Sequence, residues 1–216
     1  MSYHISYWLK GERVQNFGDY LTDFFMDRLF YDVGPRSADV RIIGSCIDDG
    51  LLGHNADGSP RRTIFWGCGL RHETSLSERA REHAEILAVR GPLSRSALRL
   101  GAAFPIGDPG LLLPALHSPR RIKALAARKI LVPHFLDLRS DDELMELSHC
   151  DLVVRPNIDA TPEAVTGFID TITSADFVLC GALHAGITMA AYGGRFAFWE
   201  SGSVDIPFKW RDFAAS

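Results

Sequence analysis

A chain of 216 residues, 46% hydrophobic and 23% charged, is long enough for one large or two small domains and too apolar to stay disordered. Its formal net charge of −4 implies no general affinity for nucleic acid. An anionic ligand would therefore need a local cluster of cations.

The first fifteen residues hold no long apolar core and read as no secretory signal. No run of about 18 apolar residues follows, so nothing is expected to span a membrane, and the cytoplasm is the expected location. The four cysteines, Cys46, Cys68, Cys150 and Cys180, form no C-x-x-C pair. They are expected to be free thiols in a reducing compartment.

Taken in chain order, His4–Trp8 reads as a strand, and 19–30 as a helix with Leu21, Phe24, Phe25 and Leu29 on one face. Residues 40–46 and 63–67 read as buried strands, 77–83 as a helix and 86–89 as a strand. Pro92 suits the first position of a helix through Leu100, with Gly101 as its stop. A break near 116–121 is followed by a strand at 129–133, a helix at 141–148 and a strand at 152–155. Thr161-Pro162-Glu163 reads as a cap, a first-turn proline and an acid opening a helix to Ser174. A strand at 177–180, a helix at 182–192 and a strand at 196–199 complete the series. Strand–helix alternation of this kind predicts an α/β fold, two Rossmann-like halves with parallel sheets, 1–118 and 119–216. Ligands are expected at the carboxyl ends of strands or in a cleft between the halves. The basic run 119–129, without an acid, fits either a solvated linker or peripheral contact with an anionic membrane face.

Six short segments could carry chemistry. In Asn16-Phe17-Gly18-Asp19, Gly18 lets backbone approach a ligand at a helix start, while Asp19 fits either a plain N-cap or a functional acid. Phe65-Trp66-Gly67-Cys68-Gly69 suits a tight turn at a strand end. In Val89-Arg90-Gly91-Pro92-Leu93-Ser94, Arg90 ends a strand where its fork would meet a carboxylate or phosphate, or else forms a structural salt bridge. Ser94 lies in the first helical turn, where its hydroxyl meets an anion or the backbone. Asp108, in Gly107-Asp108-Pro109, either orients a basic group or closes a turn. His184 follows a strand and sits at a helix start, placed to donate to phosphate or to move a proton. Lys209, in Pro207-Phe208-Lys209-Trp210-Arg211-Asp212-Phe213, fits a cation–π contact or a surface cation. No spacing of His, Cys or acids suggests a metal site.

The order of these segments resembles the polysaccharide pyruvyl transferase family: Asn-x-Gly-Asp, Trp-Gly-x-Gly, Arg-Gly-Pro-x-Ser, Gly-Asp-Pro-x-Leu-Leu-Leu-Pro, Leu-His-x-Gly-Ile and a late Lys-aromatic stretch. The similarity runs from Asn16 to Phe213. The resemblance implies a shortened B-type glycosyltransferase fold and no cofactor, with phosphoenolpyruvate as donor substrate. It implies a saccharide acceptor, often lipid-linked, met at the inner membrane face in building cell-surface polysaccharide. On this resemblance His184 contacts the donor and serves as acid/base, and Arg90 and Lys209 are anion contacts, joined by Asn16, Gly18 and Ser94 as substrate-binding residues. Asp19 is the expected base for the acceptor hydroxyls. Many members carry an Arg where this chain has Ala182, with Arg195 or Arg155 as candidate substitutes. Two alternatives stay open. One is a nucleotide-sugar glycosyltransferase, although no acidic residue is clearly placed for a ribose. The other is a sugar- or anion-binding protein without turnover.

Overall fold

A computed structural model describes residues 12–30, 39–200 and 206–216. The strand expected at His4–Trp8 lies outside the described residues. The elements in order are β1 (Val14–Asn16), α1 (Phe17–Leu29), β2 (Asp39–Arg41), β3 (Gly53–His54), β4 (Pro60–Arg61), β5 (Thr63–Cys68), α2 (Glu78–Arg81), β6 (Ala84–Val89), α3 (Pro92–Ala97) and α4 (Leu113–Leu116). They continue with β7 (Lys129–Val132), α5 (Asp141–Ser148), β8 (Leu152–Val153), β9 (Asn157–Asp159), α6 (Pro162–Thr173), β10 (Phe177–Cys180), α7 (Leu183–Ala191), β11 (Phe196–Phe198) and α8 (Pro207–Ala214).

The fold is mixed α/β with parallel sheets, compatible with a Rossmann-like arrangement. It divides into two compact units. Among the described residues the first unit holds 25–30, 39–109 and 206–216, and the second holds 12–24 and 110–200. The units are thus discontinuous in sequence, unlike the two sequential halves expected, 1–118 and 119–216.

The first unit is built on a parallel sheet of order β2-β5-β6, with a small β3–β4 hairpin. Its core joins Ile47, Leu52, Phe65, Cys68, Leu70, Val89 and Leu98 with Phe208 of α8. The strand expected over 40–46 is shorter. Pairing stops at Arg41, the chain turns at Gly44 (φ 100°), and pairing resumes only as a bridge between Ile47 and Leu70. Gly44 tolerates that left-handed φ because it has no Cβ. Helix α3 also ends early, at Ala97, and Arg99 rather than Gly101 takes the left-handed conformation (φ 53°).

The second unit is built on a four-stranded parallel sheet, β11-β10-β7-β8, and a short antiparallel pair, β1-β9. Strands β7 (KILV) and β10 (FVLC) are apolar runs with Ile130, Leu131, Val132, Val178 and Cys180 fully buried, as inner strands of a parallel sheet require. Helix α5 starts with a complete capping box, Ser140 and Glu143 each bonding the other's backbone. Helix α6 is capped by Thr161, whose side-chain oxygen accepts from Ala164 N. It buries Val165, Phe168, Ile169 and Ile172, the i, i+3, i+4, i+7 stripe of an amphipathic helix.

The linker before β7 is tied to α6 through Asp170, which is 3% exposed. Its carboxylate accepts from Arg120 N (2.9 Å) and Arg120 Nε (3.0 Å) and pairs with His117 Nε2 (2.7 Å). Burial alone would raise the Asp170 carboxyl, but the bonds from His117 and Arg120 outweigh it and hold it below its usual value. Within the basic run 119–129, Arg120 is therefore paired with Asp170, and Arg128 lies 3.8 Å from Asp151.

Candidate functional site

The strand order of the second unit defines where a ligand belongs. From β7 the chain crosses to β8 on one side, then returns to lay β10 and β11 on the other. The crevice outside the carboxyl ends of β7 and β10 is the switch point of such a sheet, where open α/β folds bind ligands. The two strand exits are joined there, Gly181 N and Ala182 N both donating to Val132 O (2.7 and 3.3 Å).

Helix α7 starts immediately beyond, at Leu183, with His184 in its first turn. Ala182 precedes it and offers no side-chain cap. The first turn of α1 meets the same histidine. A Cβ added at Gly18 would stand 2.4 Å from His184 Nδ1, so only glycine lets this backbone lie against the imidazole. Asn16 Nδ2 donates to Asp19 Oδ2 (3.0 Å) at the same helix start. Four expected site residues, Asn16, Gly18, Asp19 and His184, thus belong to one unit, and Gly18 and His184 touch. Two helix N-termini converge on one imidazole, an arrangement that favours an anion. Helix α1 starts at Phe17, so Asp19 lies inside the first turn and Asn16 precedes the helix. The reading of Asp19 as the N-cap is corrected accordingly.

Of the two candidate substitutes for the arginine missing at Ala182, Arg195 lies at the opposite edge of the sheet, and Arg155 is engaged with the segment after β7. Arg195 precedes β11 at its amino end, where its backbone oxygen accepts from Val178 N and its guanidinium pairs with Asp176 (2.9 Å). Arg155 braces the loop after β7, bonding Asp141, Asp137 O and Arg139 O.

The first unit carries the other expected residues, Arg90 at the carboxyl end of a strand and Ser94 and Lys209 in helices. Arg90, directly after β6, is 1% exposed. Its Nε donates to Asp108 Oδ2 and its Nη1 to Ser45 Oγ, each at 3.0 Å. Its Nη2 has no hydrogen-bond partner among the described residues. Of the two readings of Arg90, the structure displays the salt bridge, and Asp108 is the acid that orients the basic group.

Ser94 does not stand ready for a ligand. Its hydroxyl donates to Asp212 Oδ2 (2.6 Å), its backbone N–H donates to Asp212 Oδ1 (2.9 Å), and its Oγ accepts from Leu70 N (3.1 Å). The anion at the start of α3 is the protein's own carboxylate, fully buried. Lys209 lies in α8 with Nζ 5.6 Å from the centre of the Trp210 ring, the cation–π contact weighed for it.

Two residues were missed as functional or organising groups. Asp212 stood inside a noted segment, but nothing local marks it as the partner of a residue 118 positions away. His134 follows β7 at the switch point, its Nδ1 accepting from Leu136 N (3.3 Å) and its ring against Phe135. The rule applied to Arg90, a polar residue just past a buried strand, would have found it. Among the described residues no group of three or more His, Cys, Asp or Glu is placed to hold a metal ion, and no helix is long and apolar enough to cross a membrane.

No family model matches the chain, and neither does any curated protein or solved structure.

Proposed function

We propose that the protein is a transferase that moves pyruvate from phosphoenolpyruvate onto a saccharide as a ketal, on a fold of the B-type glycosyltransferase kind. The reading rests on the ordered motifs and on one observation above all, the packing of Gly18 against His184, which brings two of those motifs together at the switch point of a parallel sheet.

The chemistry asks for few groups. Protonation of the donor's methylene carbon makes C2 electrophilic. One acceptor hydroxyl adds there and loses its proton. Phosphate then leaves, and a second hydroxyl closes the ketal with loss of its own proton. His184 is the proton donor and Asp19 the base, each a role that typically contributes about 10²–10⁴-fold. The start of α7 receives the anionic donor. Arg90, held in its buried salt bridge with Asp108, and Lys209, set over the Trp210 ring, are given no contact with this donor. Ser94, occupied by Asp212, drops out of the substrate-binding set. The acceptor is a saccharide, with a lipid-linked glycan precursor at the inner membrane face the expected form.

The test is calorimetric titration of the full chain with phosphoenolpyruvate, for wild type, His184→Asn and Gly18→Ala. Saturable binding is expected for wild type, at least tenfold weaker in His184→Asn. Gly18→Ala should weaken it similarly, because the new Cβ must displace the imidazole. No binding to folded wild type overturns the assignment. Arg90→Ala is a poor probe. It breaks a buried ion pair, a change that typically costs about 3–5 kcal/mol.

A further inference from the structure

Between Asp108 and Asp137 lies the longest acid-free stretch of the chain, and it carries five cations: Arg120, Arg121, Lys123, Arg128 and Lys129. The fold pins this stretch instead of leaving it a loose linker. Arg120 N donates to Asp170 Oδ1 (2.9 Å) and Ile122 N to Ser174 Oγ (2.8 Å), which fixes it to the C-terminal end of α6. Turn bonds follow, Leu125 N to Ile122 O (3.0 Å) and Arg128 N to Leu125 O (2.9 Å). Arg128 O then accepts from Asp176 N (3.0 Å), just before β10, and Lys129 opens β7. The run is therefore laid along the amino edge of the four-stranded sheet, opposite the crevice at the carboxyl ends of β7 and β10.

The charges on this edge do not cancel. Three acidic residues bond to the run: Asp151 before β8, Asp170 of α6 and Asp176 before β10. Each is met by an arginine, Arg128, Arg120 and Arg195 in turn. Arg121, Lys123 and Lys129 are exposed and form no ion pair among the described residues. Arg120 and Arg128 also stay open to solvent, their side chains 83% and 55% exposed. Among these cations stands Ile122, 38% exposed and flanked by Arg121 and Lys123. A merely solvated face has no use for an exposed isoleucine on a backbone held by hydrogen bonds, and a soluble polyanion would not need one. Cations around one apolar side chain match the headgroup region of a bilayer, where the charges meet anionic lipid and the apolar group enters the acyl boundary.

We propose that this amino edge is a docking surface for an anionic lipid bilayer, with Arg121, Lys123 and Lys129 as its headgroup contacts and Ile122 as its apolar contact. Because the backbone is already fixed, little ordering is needed on contact. A bilayer on this edge leaves the crevice at the opposite edge uncovered. The inference goes beyond the pyruvyl-transfer reading and does not rest on it, since bilayer binding needs no donor.

The experiment sediments the full chain with vesicles of phosphatidylcholine alone and with vesicles of phosphatidylcholine and phosphatidylglycerol. Expected is saturable binding to the anionic vesicles at about 0.05 M salt, lost at about 0.5 M as ions screen the contact, and none to phosphatidylcholine alone. Arg121→Gln/Lys123→Gln should weaken binding about thirtyfold, at roughly fivefold per cation. Ile122→Gln should weaken it while leaving its salt dependence unchanged. Arg79→Gln/Arg99→Gln, which removes two exposed cations of the first unit, should bind as wild type does. Equal weakening in the two double variants overturns the proposal, because net charge and not this edge then sets the affinity. So does a wild type that binds anionic vesicles no better than phosphatidylcholine. A wild type that binds heparin but not the anionic vesicles assigns the edge to a soluble polyanion and overturns it as well.

Discussion

Asp212 shows how a single carboxylate organises a helix start. Helix α3 opens at Gly91-Pro92, and Gly91 has no side chain to cap it. The orphan donors of the first turn are met instead by Asp212, which takes both the N–H and the hydroxyl of Ser94. Hydrogen bonds to charged groups are worth about 1.5–3 kcal/mol each, and here their donors are buried. Asp212→Ala should therefore cost at least about 2–3 kcal/mol in urea unfolding, more than Ser94→Ala, which leaves the backbone bond in place. Ser94 itself was legible as a first-turn hydroxyl facing an anion. What could not be read was that the anion is covalently part of the chain, since no periodicity links residues so far apart in sequence. Gly18 makes the complementary case. Its value as a place of close approach was readable, but not that the approaching group is His184.

Elements with a full set of local signals were the most legible. Helix α5 matches its expected bounds, 141–148, because Ser140 and Glu143 mark its start and Leu144 its buried face. Strand β10 likewise matches 177–180, as an apolar run between Asp176 and Gly181. The β1–β9 pair was missed because three residues at 14–16 have no pattern of their own, and their partners are at 157–159. Helix α8 was read only as cations among aromatics, although Pro207 is a sound first-turn residue. The union of α6 with the basic linker carries a pH dependence. An unfolded aspartate titrates near about 3.9, and Asp170 is held below its usual value when folded. Its contribution is thus whole well above pH 4 and drains away as pH falls toward the folded value. Thermal unfolding followed from pH 7 to 3 should show a steep loss below about pH 4. Asp170→Asn should start less stable and lose less over that range. Asp137 works in the same direction, its carboxyl held down chiefly by its bonds with Arg139.

The plan of the whole molecule is two parallel-sheet units, the first of which takes its last helix from beyond the second. Strand–helix alternation made the α/β class readable, whereas the discontinuity depends on Phe208 and Asp212, whose partners lie more than a hundred residues earlier. Removal of residues 206–216 should selectively unfold the first unit. Hydrogen exchange would show lost protection in β5 and β6 while β7 and β10 stay protected; equal loss in both units would contradict the division. The same arrangement has a consequence for biosynthesis. A ribosome adding about 5–20 residues per second needs roughly 5–20 s to pass from Pro109 to Asp212. For that interval β2, β5, β6 and α3 are already made while the start of α3 lacks its carboxylate and the core lacks Phe208. The second unit can complete its own sheet first, so the part begun earlier in translation is the later to mature, and it is the nascent segment most in need of a chaperone.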